Sequence, residues 1–142
     1  MFGTPGLTEK SSISLFSTTP VPGGMTPTFL ESDDAVVALG TPGGSRIISM
    51  VLLATLEFAH GRGGPKGWVA LPRFHHQYLP DVVRYEAPAF DDAEKRALEQ
   101  RGYRLEAVRG GYGNMQAVAW YKKSGKLEAA SDPRGEGLAL VK

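Results

Sequence analysis

Hydrophobic and polar positions fall into a few clear patterns. Residues 82–86 (Val-Val-Arg-Tyr-Glu) and 103–108 alternate in character, the period of half-buried strands. Ala35-Val36-Val37-Ala38-Leu39 is a short apolar run bounded by Asp33-Asp34, as in a strand leaving a tight turn. With residues 26–31 on the other side of Ser32-Asp33-Asp34, it predicts a β-hairpin. Residues 115–121 and 126–130 flank Ser124-Gly125 and predict a second hairpin. From Ile47 onward the chain is almost continuously apolar for about four helical turns, which predicts a helix over 45–60 stopped by Gly61. Its Ile47, Ile48, Val51, Leu52, Leu53, Leu56 and Phe58 leave a narrow polar stripe, so most of its circumference is expected to be buried. Asp91 suits an N-cap with Glu94 three places on, opening a second helix that runs to about Arg101 and ends at Gly102. Residues 62–67 read as loop, and 68–71 as a short helical turn or an extended piece. The sum is α+β: hairpins and two helices, favouring an antiparallel sheet packed on helices.

Composition changes this picture at one end. Residues 1–24 are rich in Gly, Pro, Ser and Thr and read as a flexible N-terminal arm, with Ile13-Ser14-Leu15-Phe16 the one extended hint; residues 25–142 read as the folded domain. At 42% apolar, the chain is able to build a core. Sixteen basic against fifteen acidic residues leave a net charge of +1, which gives no electrostatic case for nucleic acid or an anionic membrane. There is no cysteine, hence no disulfide, thiolate metal site or catalytic thiol. Met1-Phe2-Gly3-Thr4-Pro5-Gly6 lacks the basic and apolar regions of a signal peptide, and the 47–59 run falls short of the roughly 20 residues needed to span a bilayer. The chain is expected to be soluble, and nothing in it names a compartment.

Candidate chemistry centres on Gly40-Thr41-Pro42-Gly43-Gly44-Ser45-Arg46-Ile47-Ile48. Pro42 stops the strand, and Gly43 and Gly44 let the backbone approach another atom closely. At the positive end of a helix their N–H groups suit an anion or a developing oxyanion. Taken alone, Pro-Gly-Gly reads first as a tight strand-to-helix turn. Thr18-Thr19 are internal, with Pro20 next, and read as loop. His75 and His76 face opposite ways in an extended segment, and with His60 they show no metal-ligand spacing, so neither a metal nor a cofactor is expected. Arg73 and Arg134 with Asp81 and Asp132 form either buried ion pairs that fix loops or a solvated surface. Trp68, Phe74, Tyr78 and Trp120 are expected in the core.

Four blocks, in order, resemble the gamma-glutamyltranspeptidases, also called glutathione hydrolases, over about residues 22–142. Residues 22–28 (Pro-Gly-Gly-Met-Thr-Pro-Thr) are similar to the family's Ser-Ser-Met-Ser-Pro-Thr block. Residues 40–48 resemble its Gly-Ser-Pro-Gly-Gly-Ser-Arg-Ile-Ile motif, and 72–81 (Pro-Arg-Phe-His-His-Gln-Tyr-Leu-Pro-Asp) its Pro-Arg-Phe-His-His-Gln-Trp-Leu-Pro-Asp block. Residues 125–134 look like its Gly-Ala-Ser-Asp-Pro-Arg tail.

The resemblance implies part of an N-terminal-nucleophile (Ntn) hydrolase, a four-layer αββα sandwich, and more narrowly the C-terminal portion of the small subunit released when the precursor cleaves itself. It implies Gly43 and Gly44 as oxyanion-hole amides, and it places Gly23 and Gly24 where the family has two serines that hold the substrate carboxylate. The family nucleophile is the first threonine of a Thr-Thr-His start, some tens of residues before the Ser-Ser-Met block. Thr18-Thr19-Pro20 lies too close to that block to serve, so the chain alone is expected to be inactive. The implied partners are a separate chain carrying the large subunit and nucleophile, a second copy of this chain and, once complemented, a gamma-glutamyl small molecule. Family members are often periplasmic, secreted or on the cell surface. The alternative is a non-catalytic truncated member acting as a stand-alone binding or oligomerising module.

Overall fold

The computed structural model describes residues 14–17 and 27–141. Five strands, β1 (Ser14–Ser17), β2 (Thr28–Glu31), β3 (Ala35–Gly40), β7 (Gln116–Tyr121) and β8 (Leu127–Ser131), form one antiparallel sheet in the order β1-β2-β3-β7-β8. Both predicted hairpins are present, and residues 14–16 of the extended hint lie in strand β1. Between β3 and β7 the chain forms α1 (Ile47–Ala59), α2 (Pro65–Ala70), β4 (Phe74–His75), β5 (Val83–Tyr85), α3 (Asp92–Gln100) and β6 (Leu105–Ala107). The short strands make a second sheet, β4-β5-β6, antiparallel at β4–β5 and parallel at β5–β6.

Helix α3 has the predicted capping box: Asp91 Oδ1 accepts from Glu94 N at 2.7 Å and Glu94 Oε2 accepts from Asp91 N at 2.8 Å. Helix α2 bears out the helical alternative for residues 68–70, but it begins at Pro65, inside the stretch 62–67 that reads as loop. Pro65 is its first residue, where a missing N–H does no harm, and Trp68 and Val69 bury its inner face.

Alternation along the strands gives the large sheet two unlike faces. Leu30, Val37, Leu39, Ala117, Ala119 and Ala130 point to one side and form the core with Met50 and Ala54 of α1 and Trp68 and Val69 of α2. Phe58 meets Trp68 edge-on, ring centroids 5.8 Å apart. On the other side, cross-strand neighbours Phe29, Ala38, Val118 and Ala129 make one row and Val36, Trp120 and Leu127 the next. Phe29, Val118, Trp120 and Leu127 are exposed, and an apolar concavity of about 490 Å³ opens over Ala38, Gly40, Val118 and Ala129. Gly137 and Ala139 border one end of this face, and no described strand or helix covers the rest.

Two expectations are corrected here. Helix α1 is not buried around its circumference: only Met50 and Ala54 are, while Ile48 (76% exposed), Leu52 and Leu56 form an open apolar stripe. The sheet covers one side of the helix, and no described residue seals the stripe. Of the four expected core aromatics only Trp68 is buried. Trp120 sits on the open sheet face, and Phe74 and Tyr78 (86% exposed) alternate outward from Arg73, His75 and Gln77.

Candidate functional site

At the end of β3 the chain turns sharply. Gly43 has φ 153° and Gly44 φ 58°, conformations that side chains disfavour. The helix was expected to begin near Ser45; instead a 3₁₀ turn spans Gly44–Arg46, and α-helical bonding starts at Ile47. Arg46 N–H donates to Gly43 O at 3.2 Å. No side chain caps the turn, and among the described residues no acceptor takes the N–H of Gly43 or Gly44. Both glycines are exposed. Their donors are the unpaired groups that any helix start leaves.

The turn is held on two sides. On one, buried Thr41 accepts from Asn114 N–H through Oγ1 at 3.1 Å, and the Arg46 guanidinium stands 4.8 Å from the Tyr112 ring centroid. On the other, Ser45 Oγ lies 3.0 Å from Gln77 Oε1, and Ser49 Oγ lies 2.7 Å from His75 Nδ1.

Behind the turn lies a buried cluster of two arginines and two carboxylates. Arg73, on the segment leading into β4, is paired with Asp132 and also donates to the carbonyls of Tyr112 and Val69. Asp132 further accepts from Met115 N at 2.8 Å, from Arg134 N at 2.9 Å and from the Arg134 guanidinium at 3.0 Å. Arg134 grips Glu86 with two nitrogens, at 2.8 and 2.6 Å. Glu86 Oε2 also accepts from Arg73 N at 3.0 Å. The buried alternative for Arg73, Arg134 and Asp132 thus holds, but Asp81 has no part in it: it is 73% exposed and pairs with His76 at 2.7 Å. The fourth member, Glu86, was missed, although it ends the alternating stretch 82–86.

Burial pushes the Asp132 carboxyl up, but the N–H groups of Arg134 and Met115 and the two guanidinium groups outweigh it and hold the pKa below the usual carboxylate range. Burial likewise disfavours the Arg134 cation, yet Glu86 and Asp132 raise its pKa. Burial, with Glu86 nearby, pushes the Tyr112 phenol up to about 12. An unfolded tyrosine ionises near 10, so above that pH the unfolded chain has lost a proton that folded Tyr112 keeps. Stability should therefore fall between about pH 10 and 12, and a Tyr112→Phe variant should lose less over that range in urea melts.

The histidines have separate partners: His60 Nδ1 contacts Leu56 O, His75 contacts Ser49 and Gln77, and His76 contacts Asp81. His75 and His76 face opposite ways, as an extended segment requires. Gly23, Gly24, Thr18 and Thr19 lie outside the described residues.

Comparison with known proteins turns this geometry into a family. The gamma-glutamyltranspeptidase family model matches residues 22–141. The glutathione hydrolase proenzyme of Pseudomonas aeruginosa is 37% identical over 120 residues, covering 82% of this chain and 21% of that protein. That of Escherichia coli is 37% identical over 112 residues, covering 78% and 19%. The chain thus spans about a fifth of these relatives. The crystal structure of Helicobacter pylori gamma-glutamyltranspeptidase T380A superimposes with a TM-score of 0.70 at 30% identity, over 80% of this chain and 62% of that one. The Pseudomonas nitroreducens enzyme complexed with L-DON gives 0.65 at 33%, over 98% and 66%. With the family model matched over most of its length and the α+β fold shared with these Ntn hydrolases, the chain belongs to the gamma-glutamyltranspeptidase family as a partial region of it, consistent with a C-terminal portion.

Proposed function

We propose that this chain supplies the oxyanion-stabilising part of a gamma-glutamyl transfer site, completed by polypeptide that carries the threonine nucleophile. The observation behind this reading is that the N–H groups of Gly43 and Gly44 are exposed and have no protein acceptor among the described residues. In this reading the threonine oxygen bonds to the gamma-glutamyl carbonyl carbon, and the carbonyl oxygen takes up the negative charge. The two amides stabilise it until the C–N bond breaks and the amine leaves with the proton that the threonine hydroxyl gave up. Water or an acceptor amine then takes the glutamyl group from the threonine oxygen. Gly23 and Gly24, standing where the resemblance places serines, have backbone N–H groups but no hydroxyl for the substrate carboxylate. No metal or cofactor enters.

The open sheet face supports the same reading. Two such faces pack about 10 Å apart in a sandwich, and the second sheet of the αββα arrangement is the surface that Phe29, Val118, Trp120 and Leu127 await. The test is a chimera in which residues 22–141 replace the matching part of the Pseudomonas aeruginosa proenzyme. We expect it to hydrolyse a gamma-glutamyl anilide, while the chain alone stays at background. A folded but inert chimera overturns the reading.

The exposed sheet face also favours a second reading, a non-catalytic module that dimerises through it. Both readings predict that the isolated chain self-associates. Light scattering should show mass rising with concentration, and Trp120→Glu should shift the chain toward monomer. A strict wild-type monomer at high concentration that binds no hydrophobic dye would contradict both.

A further inference from the structure

We propose that Gln77, with His75 behind it, is a positioning residue that holds the Gly43–Gly44 turn through the hydroxyls of Ser45 and Ser49; this rests on reading the two glycine amides as oxyanion donors. The segment leading through β4 alternates: Arg73, His75 and Gln77 turn inward while Phe74, His76 and Tyr78 turn outward. Arg73 anchors it in the buried charge cluster; two residues later His75 meets the first turn of α1, and four residues later Gln77 meets the 3₁₀ turn before it. Ser45 and Ser49 are four residues apart, so they share one face of the helix start.

The protons in this chain of contacts can be assigned. Gln77 Nε2 donates to the Leu79 carbonyl, which fixes the amide and turns Oε1 toward Ser45 and His75. Oε1 only accepts, so Ser45 donates to it and His75 Nε2, 3.0 Å away, carries a hydrogen. In the neutral imidazole this leaves Nδ1 as an acceptor, and the Ser49 hydroxyl donates to it. His75 is buried, whereas the Ser45–Gln77 contact is exposed, so Gln77 can be changed without opening the core.

The turn needs such a restraint. It contains two glycines at positive φ and has no side-chain cap, so its own sequence does little to rigidify it. Thr41 and Arg46 hold its two ends against the 112–114 loop, and the Gln77 contact reaches Ser45, the residue directly after Gly44. Oxyanion donors act by being fixed before the charge develops.

The test is solution NMR on the full chain with Gln77→Leu, Gln77→Glu and Ser45→Ala. In the wild type, imidazole ¹⁵N shifts should report the Nε2–H tautomer for His75. Gln77→Leu should lower the Gly43 and Gly44 amide order parameters from about 0.85 to below about 0.6 and remove the tautomer preference. Ser45→Ala should loosen the glycines while leaving the tautomer in place. Gln77→Glu keeps an acceptor for Ser45 and His75 but loses the donor to the Leu79 carbonyl, so it should keep the His75 tautomer and loosen the glycines less than Gln77→Leu does. The Trp68 indole N–H, 2.8 Å from Arg62 O, should be unmoved throughout and reports an intact fold. Glycines that stay rigid in Gln77→Leu, or an Nδ1–H tautomer in the wild type, overturn the proposal. Those failures would leave the oxyanion reading untouched, and an inert chimera would leave the tether untouched.

Discussion

Asp132→Ala should cost about 3–5 kcal/mol of stability, the range for removing one partner of a buried ion pair. Asp132 is fully buried and receives hydrogen bonds from Arg73, from the Arg134 guanidinium and from the N–H groups of Met115 and Arg134. Arg134 keeps Glu86 in the variant, but Arg73, itself 2% exposed, loses its only side-chain carboxylate partner among the described residues. Against a total stability of about 5–15 kcal/mol, such a loss leaves a marginal fold. In thermal melts the midpoint should fall on the order of 10 °C or more. Asp81→Ala is the matched control: its pair with His76 is exposed, so the change should stay within about 1 kcal/mol. Equal effects of the two variants would show that the cluster does not hold the fold.

The same group predicts acid sensitivity. The Asp132 pKa is lowered in the folded chain, so its contribution is present above the unfolded value, near 4. It is lost as pH falls through the folded pKa, because the unfolded chain takes up a proton that the folded carboxylate refuses. The Asp132→Ala variant should therefore show a weaker fall in stability below about pH 4 than the wild type.

Strand periodicity and turn chemistry made the hairpins and the α3 capping box legible, because those signals are local. What covers a face was not legible. The apolar positions around α1 predicted burial on nearly all sides, but the pattern does not say which polypeptide does the burying. Met50 and Ala54 meet this chain's own sheet, whereas Ile48, Leu52 and Leu56 do not. Trp120 is the same case: alternation fixes that it faces away from Ala119, and only the fold shows that no described element lies there. A chain spanning about a fifth of its relatives should carry such surfaces, and their apolarity is what the rest of a sandwich would satisfy.

The buried cluster was half legible. The sequence offers Arg73, Arg134 and Asp132 as members, and it offers Asp81 equally, although that side chain is exposed and pairs with His76. Proximity along the chain is a poor guide here: Glu86, thirteen residues past Arg73, is brought back because β5 runs antiparallel to β4. The glycine turn was legible as a turn. Its 3₁₀ start was not, since it depends on the backbone angles of Gly43 and Gly44 rather than on any side-chain pattern. The inward spacing of Arg73, His75 and Gln77 was present in the sequence as a period of two, but two residues of β4 are too few to announce a strand.

Gly43→Ala in the Pseudomonas aeruginosa chimera should lower kcat about 10²–10³-fold, the range for losing one oxyanion donor, with KM changed far less. A methyl group at Gly43 would stand 2.6 Å from Met50 Cε, the flexible end of a buried side chain, which would have to shift. The backbone there has φ 153°, which an alanine rarely adopts, so the turn must rearrange to relieve that strain. The same strain should destabilise the fold by about 1–3 kcal/mol. Rearrangement moves the Gly43 N–H and, through the shared turn, the Gly44 N–H. On the proposed reading these donors matter most when charge sits on the carbonyl oxygen, so the loss should appear in kcat rather than in substrate binding. Gly44→Ala is the informative contrast. Its φ of 58° lies in the left-handed region, and an added Cβ meets nothing within 4 Å, so it should cost only about 1–2 kcal/mol of strain and leave the donors nearly in place. A Gly43→Ala chimera that turns over as fast as the Gly44→Ala one would remove this turn from the chemistry.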